Sequence, residues 1–471
     1  MLDLAVVGGS AVTSDGVGSI DIGISAGRIS VVAASGALPA ARQTIDASRC
    51  YVLPGLVDPH THPGNVRSLL TDVASETRSA AIGGITTMLG TVKSTRMVDD
   101  GSDRPPSDDP GSYVDSFPEV RAGINSSAHV DVGLSFVMMT RLHVDQIGEC
   151  VREFGVTSFK FHLTFPSRTA WGAKIGIPTF PDDGTIFAGF RACAVHGALA
   201  MVHPENHQIV QSVGSDLASG ATGLSAAEAR FPGYLEASEI GKAARLARIT
   251  GAQCYAAHVS SREGLAEVAR ARLEKTQISA ETCPQYLVLN ADDVTGSGDL
   301  LRFNPPLRRR ADNDALWGAL QDGLIDAVGS DHVPNLRALK IPDDPGEPVM
   351  PGSPGVATML PLLWTYGVRA GRITPERLAE VAAATPARLF NLYPRKGIIR
   401  PGSDADLVIV DPEEKRIVDP RTLASWADYS AYEGLGLYGW PKVTILRGRV
   451  IAQDGQPVGQ PQGQYLHRPL E

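Results

Sequence analysis

The stretch GVTSFKFHLTF, residues 155–165, reads as a buried β-strand interrupted by one charge. Aromatic and β-branched residues around Lys160 suit a pleated, enclosed setting. A lysine is almost never fully buried without a partner, and an unpaired ammonium in an apolar interior tends to lose its proton. Lys160 therefore either reaches water or sits where a neutral amine is useful. Other strands of the same kind, and the residues at their ends, decide between these.

Such strands recur. DVGLSFVMM, ALAMVHPE, AQCYAAHVSS, QISAETCPQY and IDAVGSDHV are short apolar runs within residues 56–385. Helical stretches such as SEIGKAARLARIT and REGLAEVARARLE lie between them. Strand–helix alternation of this length argues for a parallel α/β architecture, and a count of about eight strand-like segments favours a (β/α)8 barrel. No GxGxxG opens a helix after a first strand, so nothing supports a dinucleotide-binding, open doubly wound sheet. Residues 1–54 and 391–455 have a different texture, with glycine turns between alternating β-branched residues. They predict one small β-sandwich built from both ends of the chain, around a barrel at 55–390, with a tail at 456–471.

In a (β/α)8 enzyme the chemistry sits at the carboxyl ends of several strands. Read in order, those ends carry His60 and His62, Lys160, His203, His258, and Asp331 with His332. His60 and His62 are two apart on a strand, face one way, and could grip one metal ion. Taken singly, His203 or His258 reads more simply as a core histidine, and Asp331 as a helix cap. Their joint placement at strand ends argues against that. Among apolar walls and cations, Lys160 would have a depressed pKa and a nucleophilic neutral amine. Such an amine can take up carbon dioxide, giving a carbamate able to bridge two metals. A structural, Schiff-base or snorkelling lysine is the alternative.

Composition narrows the class. The 471 residues carry a net charge of −9, with 43% hydrophobic and 20% charged residues. That leaves no basic footprint for nucleic acid or an anionic membrane. No run of about 18 apolar residues suggests a membrane span. The opening MLDLAVVGGS lacks the basic and apolar parts of a signal peptide. Cys50, Cys150, Cys193, Cys254 and Cys283 form no CxxC pair, which fits reduced thiols and a cytoplasmic setting. Two segments, 97–112 and 341–355, are rich in Pro, Gly, Asp and Ser and read as loops, which in a barrel often cover the active site.

PGLVDPHTHPG (54–64), GVTSFKFHL (155–163), AMVHPEN (200–206), AAHVSS (256–261), ETCPQYL (281–287), NPPLR (304–308) and AVGSDHVP (327–334) together carry a resemblance. The chain resembles the cyclic amidohydrolases, the group of dihydropyrimidinase (hydantoinase), allantoinase and dihydroorotase. The resemblance implies a barrel with a terminal sandwich and a binuclear metal site. It implies that His60, His62 and Asp331 hold one divalent ion, that His203 and His258 hold the other, and that N6-carboxylated Lys160 bridges them. Zinc fits the nitrogen and oxygen donors, with manganese, cobalt or iron as alternatives. By the same resemblance, a hydroxide between the metals attacks the ring carbonyl, and Asp331 moves the proton to the leaving nitrogen. The implied substrate is a small cyclic amide or ureide, and the implied assembly a homotetramer or dimer.

Several positions depart from that pattern. Hydantoinases carry a tyrosine five residues after the bridging lysine, where its hydroxyl steadies the developing oxyanion; here it is Phe165, which cannot donate. Dihydroorotases place an arginine just after HxH; here Gly64 follows Pro63. Asn304 in NPPLR resembles the dihydroorotase form, while Pro351 in PGSPG replaces a hydantoinase asparagine. His162 should face the same way as Lys160 and contact substrate or support the site. Arg168 reads as a solvated loop residue. An allantoinase, an imidase or a lactamase acting on an atypical ring is the alternative activity. A non-catalytic protein of the same fold is the alternative class, disfavoured because every ligand position is filled.

Overall fold

The computed structural model describes residues 1–94, 110–163, 181–206, 209–210, 212–213, 228–229, 231–294, 298–341 and 349–470. Phe165 and Arg168 lie outside these residues, as do most of the 97–112 loop and part of the 341–355 loop.

The centre is an eight-stranded parallel sheet whose strands follow one another in chain order. They are Leu56–Thr61, Ile85–Val92, Asp131–Val137, Ser158–His162, Leu199–His203, Gln253–Ala256, Ile278–Thr282 and Ala327–Val328, called here barrel strands one to eight. Strand eight is extended to strand one by a parallel bridge between Thr61 and His332. The His62 N–H donates to the His332 carbonyl at 2.8 Å, and the Ser330 N–H donates to Asp58 Oδ1 at 3.0 Å. These contacts close the sheet into the predicted (β/α)8 barrel.

Alternation sets which side chains enter it. Val57, Leu89, Leu199, Met201, Tyr255 and Ala327 fill the interior as one apolar cluster. Strand four, which carries Lys160, starts from a tight helix end. Helix Ile147–Phe154 stops at Gly155 (φ 65°), and the Val156 N–H returns to the Cys150 carbonyl at 3.1 Å. A Cβ at Gly155 would stand 2.5 Å from the backbone nitrogen of Arg468, so both the turn and the close approach require glycine.

The second sheet has ten strands drawn from both ends of the chain. Leu407–Val410 pairs antiparallel with Tyr51–Pro54, which joins the two termini in one layer. Leu407 and Ile409 face the sandwich core with Leu4, Ile22 and Ile445. Val408 and Val410, on the opposite face, belong to the large core around the barrel. One strand thus serves two cores through its period of two.

At the amino end of the barrel, buried Lys396 lies 2.5 Å from Asp131, 3.0 Å from Asp404 and 2.8 Å from Asp406. The three carboxylates could hold a metal ion, but the lysine Nζ already sits among them. Burial alone would push this ammonium toward neutrality; the three carboxylates outweigh that and hold it above the ordinary lysine range. Strand three, through Asp131, is thereby tied to the sandwich. Tyr429, Tyr432 and Trp440 are buried within the chain itself, so these aromatics of the C-terminal segment pack on their own barrel. Among the described residues no helix is long and apolar enough to cross a membrane.

Candidate metal centre

His60 and His62 leave strand one with their Nε2 atoms 3.1 Å apart. Asp331 Oδ1, just beyond strand eight, lies 3.0 Å from His62 Nε2 and 3.5 Å from His60 Nε2. Lys160 Nζ reaches in from strand four to 2.5 Å from His60 Nε2. From strands five and six, His203 Nδ1 and His258 Nε2 face each other at 2.8 Å. The His60 and His258 rings stack with centroids 5.5 Å apart, which joins the two groups into one site. The structure therefore brings together all six residues that the sequence marks as candidate ligands.

Two of these residues bend the backbone where it costs energy. His258 (φ 41°) and Asp331 (φ 49°) are left-handed without being glycine. Such conformations cost about 1–3 kcal/mol each and persist where surrounding bonds hold them. Here those bonds are visible. The His258 N–H donates to Glu281 Oε1 at 3.0 Å, and Asp58 holds the Ser330 end of the Asp331 turn.

The electrostatics favour uncharged donors. Burial holds the imidazoles of His62 and His258 well below the usual histidine range, with Lys160 and neighbouring imidazoles adding to it. Burial also lowers the Lys160 pKa, against the pull of Asp331 and Glu281. Lowered basicity favours free lone pairs on these imidazoles and on the amine, and the groups converge here. His62, His203, His258, Lys160 and Asp331 are each less than a tenth exposed. This donor set of nitrogen and carboxylate oxygen fits a divalent cation such as zinc.

A supporting layer was not anticipated from the sequence. Glu281, on strand seven, accepts from His60 Nδ1–H at 2.8 Å and from the Tyr255 hydroxyl at 2.7 Å. A carboxylate can only accept, so His60 carries its proton on Nδ1 and turns the Nε2 lone pair into the site. Glu205 Oε2 lies 2.6 Å from His203 Nε2 and sets the opposite tautomer there, leaving Nδ1 bare. Glu281 breaks an apolar strand just as Lys160 does, so the same signal could have found it. So could Lys93, which directly follows strand two, is 5% exposed and donates to Asn65. Its charge contributes to lowering the pKa values of both His62 and His162.

Of the residues assigned to substrate, His162 lies two past Lys160 on strand four, with its ring stacked on His203 at 5.4 Å. Asn304 precedes a cis proline and makes no hydrogen bond to the imidazoles among the described residues. Pro351 lies in a segment that runs beside the Asp331 turn, where the Val333 N–H donates to the Ser353 carbonyl at 3.1 Å.

Residues 51–451 match the model of the amidohydrolase family, and the chain belongs to that family. Curated relatives span its whole length. A D-hydantoinase of Ralstonia pickettii is 33% identical, covering 99% of both chains. An L-hydantoinase of Paenarthrobacter aurescens is 31% identical over 99% of this chain and 98% of its own. Among solved structures, the L-hydantoinase (dihydropyrimidinase) from Arthrobacter aurescens superposes with a TM-score of 0.88 at 31% identity, covering 99% of each chain. The dihydropyrimidinase from Brevibacillus agri NCHU1002 gives 0.85 at 26% identity, covering 100% of this chain and 99% of that one.

Proposed function

We propose that this protein is a metal-dependent hydrolase that opens a cyclic amide or ureide ring, in the manner of a hydantoinase or dihydropyrimidinase. The observation that carries the reading is the convergence of four imidazoles, one buried lysine and one carboxylate at the mouth of the barrel. His60, His62 and Asp331 would hold one divalent ion, and His203 and His258 a second. Lys160 is suited to bridge them once its amine has added carbon dioxide, forming an N–C bond and releasing one proton. Two bound cations would activate a water molecule and polarise the scissile carbonyl.

The chain's own residues supply the rest. Asp331 takes the proton of the attacking water and passes it to the ring nitrogen as the C–N bond breaks. The water oxygen ends on the carbonyl carbon, and the product is an open N-carbamoyl or amide acid. Glu281 and Glu205 hold two imidazoles in their working tautomers. A cytoplasmic homo-oligomer is part of the same proposal, resting on the resemblance and on the five buried free cysteines.

The test is ring opening by protein loaded with zinc, manganese or cobalt in the presence of bicarbonate. Dihydrouracil, 5-substituted hydantoins, allantoin, dihydroorotate, succinimide and a lactam form the panel. Turnover that disappears in Lys160→Ala, with metal content falling below that of the parent, supports the reading. A fully metal-loaded protein that opens none of these rings would overturn it. Turnover of allantoin or succinimide alone would instead favour the allantoinase or imidase alternative.

A further inference from the structure

Helix Gly233–Thr250 packs on the barrel through a face that holds Leu235, Ile240 and Ala243, and with them two carboxylates. Glu236 and Glu239 lie three apart, on one side of the helix. They are 0% and 3% exposed, and burying an ionised carboxylate is costly unless donors surround it. Here the donors come from two loops. Glu236 accepts from the Ser260 and Ser261 N–H groups at 2.8 Å and 2.9 Å, and from both of their hydroxyls. The Ser260 hydroxyl oxygen also accepts from Arg308 Nε at 3.0 Å, so a cation backs this clamp. Glu239 Oε1 accepts from the Asn206 side-chain amide at 2.8 Å.

Both loops directly follow the imidazoles proposed for the second ion: Ser260 is two residues past His258, and Asn206 is three past His203. The ladder between strands five and six stops short of these ligands. Its last pair is Val202 with Ala256, and the last bond runs from the Ala257 N–H to the Val202 carbonyl at 3.1 Å. His203 is still paired with His162 of strand four, but His258 leaves the sheet in a left-handed turn. Glu281 holds the start of that turn, and Glu236 holds its end. The other group is braced elsewhere, by the His62 bond to His332 and by Asp58 beneath Ser330. Among the described residues, Glu236 and Glu239 make no hydrogen bond to that bracing. We infer that Glu236 and Glu239 are positioning residues that set the approach of His258 to His203, and so the affinity of the second metal position alone. The inference rests on the two-ion reading of the site and adds what controls one of the two ions.

The experiment counts zinc ions per chain by elemental mass spectrometry, on the full chain loaded with zinc and bicarbonate and held at graded chelator concentrations. The parent is expected to carry two ions. Glu236→Gln sets an amide N–H among the Ser260 and Ser261 donors. It should weaken one ion about 10- to 100-fold, the range for losing a partner that orients a ligand, and leave the other at the parental affinity. Glu239→Met, which removes only the acceptor for Asn206, should weaken the same ion less, since His203 keeps its pairing with strand four; it carries the test if Glu236→Gln fails to fold. His258→Ala should hold one ion, and adding Glu236→Gln to it should change the affinity of that ion no further, because Glu236 acts through His258. A general loss of structure would not give that result. Parallel weakening of both ions, parental affinity for both, or a further loss in the double variant would overturn the inference and leave the two-ion reading standing. A parent that never holds more than one ion would overturn both.

Discussion

Glu281 Oε1 lies 2.8 Å from His60 Nδ1, in a site where neither side chain has measurable exposure. The carboxylate holds the ring by its Nδ1–H and thereby commits Nε2 to the centre of the barrel. Its second oxygen is held by Tyr255, and the backbone of His258 reaches back to the first. One carboxylate therefore orients candidate ligands on both sides of the site.

Glu281→Gln is expected to weaken metal binding about 10- to 100-fold. A glutamine can still fill the space, but it can present an N–H to His60 and favour the wrong tautomer. Metal content measured against a graded series of chelator concentrations checks this. Retention equal to the parent protein would show that packing alone positions His60.

The six candidate ligands were legible because each interrupts an apolar run at a strand end, a local pattern that needs no knowledge of the fold. The terminal sandwich was legible from texture for the same reason. Glu281 and Lys93 obey the same rule and were passed over, since a single acidic or basic residue near a loop reads as solvated. The left-handed backbone at His258 and Asp331 was not legible, because its cause lies in partners far away in sequence. Asp58 holds the Ser330 turn from 272 residues away, and Lys396 meets Asp131 across 265. Pairings of that range carry no local periodicity.

Lys396→Met should destabilise the protein by up to about 3–5 kcal/mol, the usual cost of breaking a buried ion pair, with Arg447 still paired to Asp131 and Arg395 to Asp404. Asp131, Asp404 and Asp406 would then face one another with almost no water, since they are 0%, 4% and 3% exposed. Without the ammonium, burial pushes the carboxyls of Asp404 and Asp406 up unopposed by Lys396, so the variant should recover stability as the pH falls toward 5. Thermal unfolding of parent and variant between pH 5 and pH 8 reads this. A deficit that stays constant across that range would place the loss in packing and not in charge.

Asp72 supplies a pH dependence of its own. Burial raises its pKa from 3.8 to about 7, against the hydrogen bond it accepts from the Gly64 N–H at 2.8 Å. The folded state therefore keeps its proton over a range where the unfolded chain has lost it. Stability from this group is fully present below the unfolded pKa and is lost as the pH rises toward 7, levelling off above that. About three units correspond to about 4 kcal/mol as an upper bound. Asp72→Asn mimics the protonated form and should flatten the fall in unfolding temperature between pH 5 and pH 8. An unchanged slope would mean that Asp72 is already ionised at pH 5.

His332 follows Asp331 directly and anchors it from outside the ligand set. Its Nδ1 accepts from the Gly355 N–H at 3.1 Å, and its Nε2 lies 3.0 Å from Glu76 Oε2. Glu76 in turn accepts from the Ser425 hydroxyl at 2.7 Å, so the turn bearing Asp331 is braced against helix Leu69–Ile82 and the C-terminal segment. In the general-base role proposed for Asp331, the carboxylate must be held within hydrogen-bond reach of the proton it takes, and misplacement by about 1 Å can cost 100-fold. His332→Asn keeps a polar group near Gly355 but cannot span to Glu76. It should lower kcat about 10- to 100-fold, leaving KM and metal content near those of the parent, because the loss falls on proton transfer and not on binding. Glu76→Gln, which keeps the reach but weakens the charge, should show the same pattern more mildly. A rise in KM with kcat unchanged would assign His332 to shaping the pocket, and a loss of bound metal would assign it to holding Asp331 as a ligand.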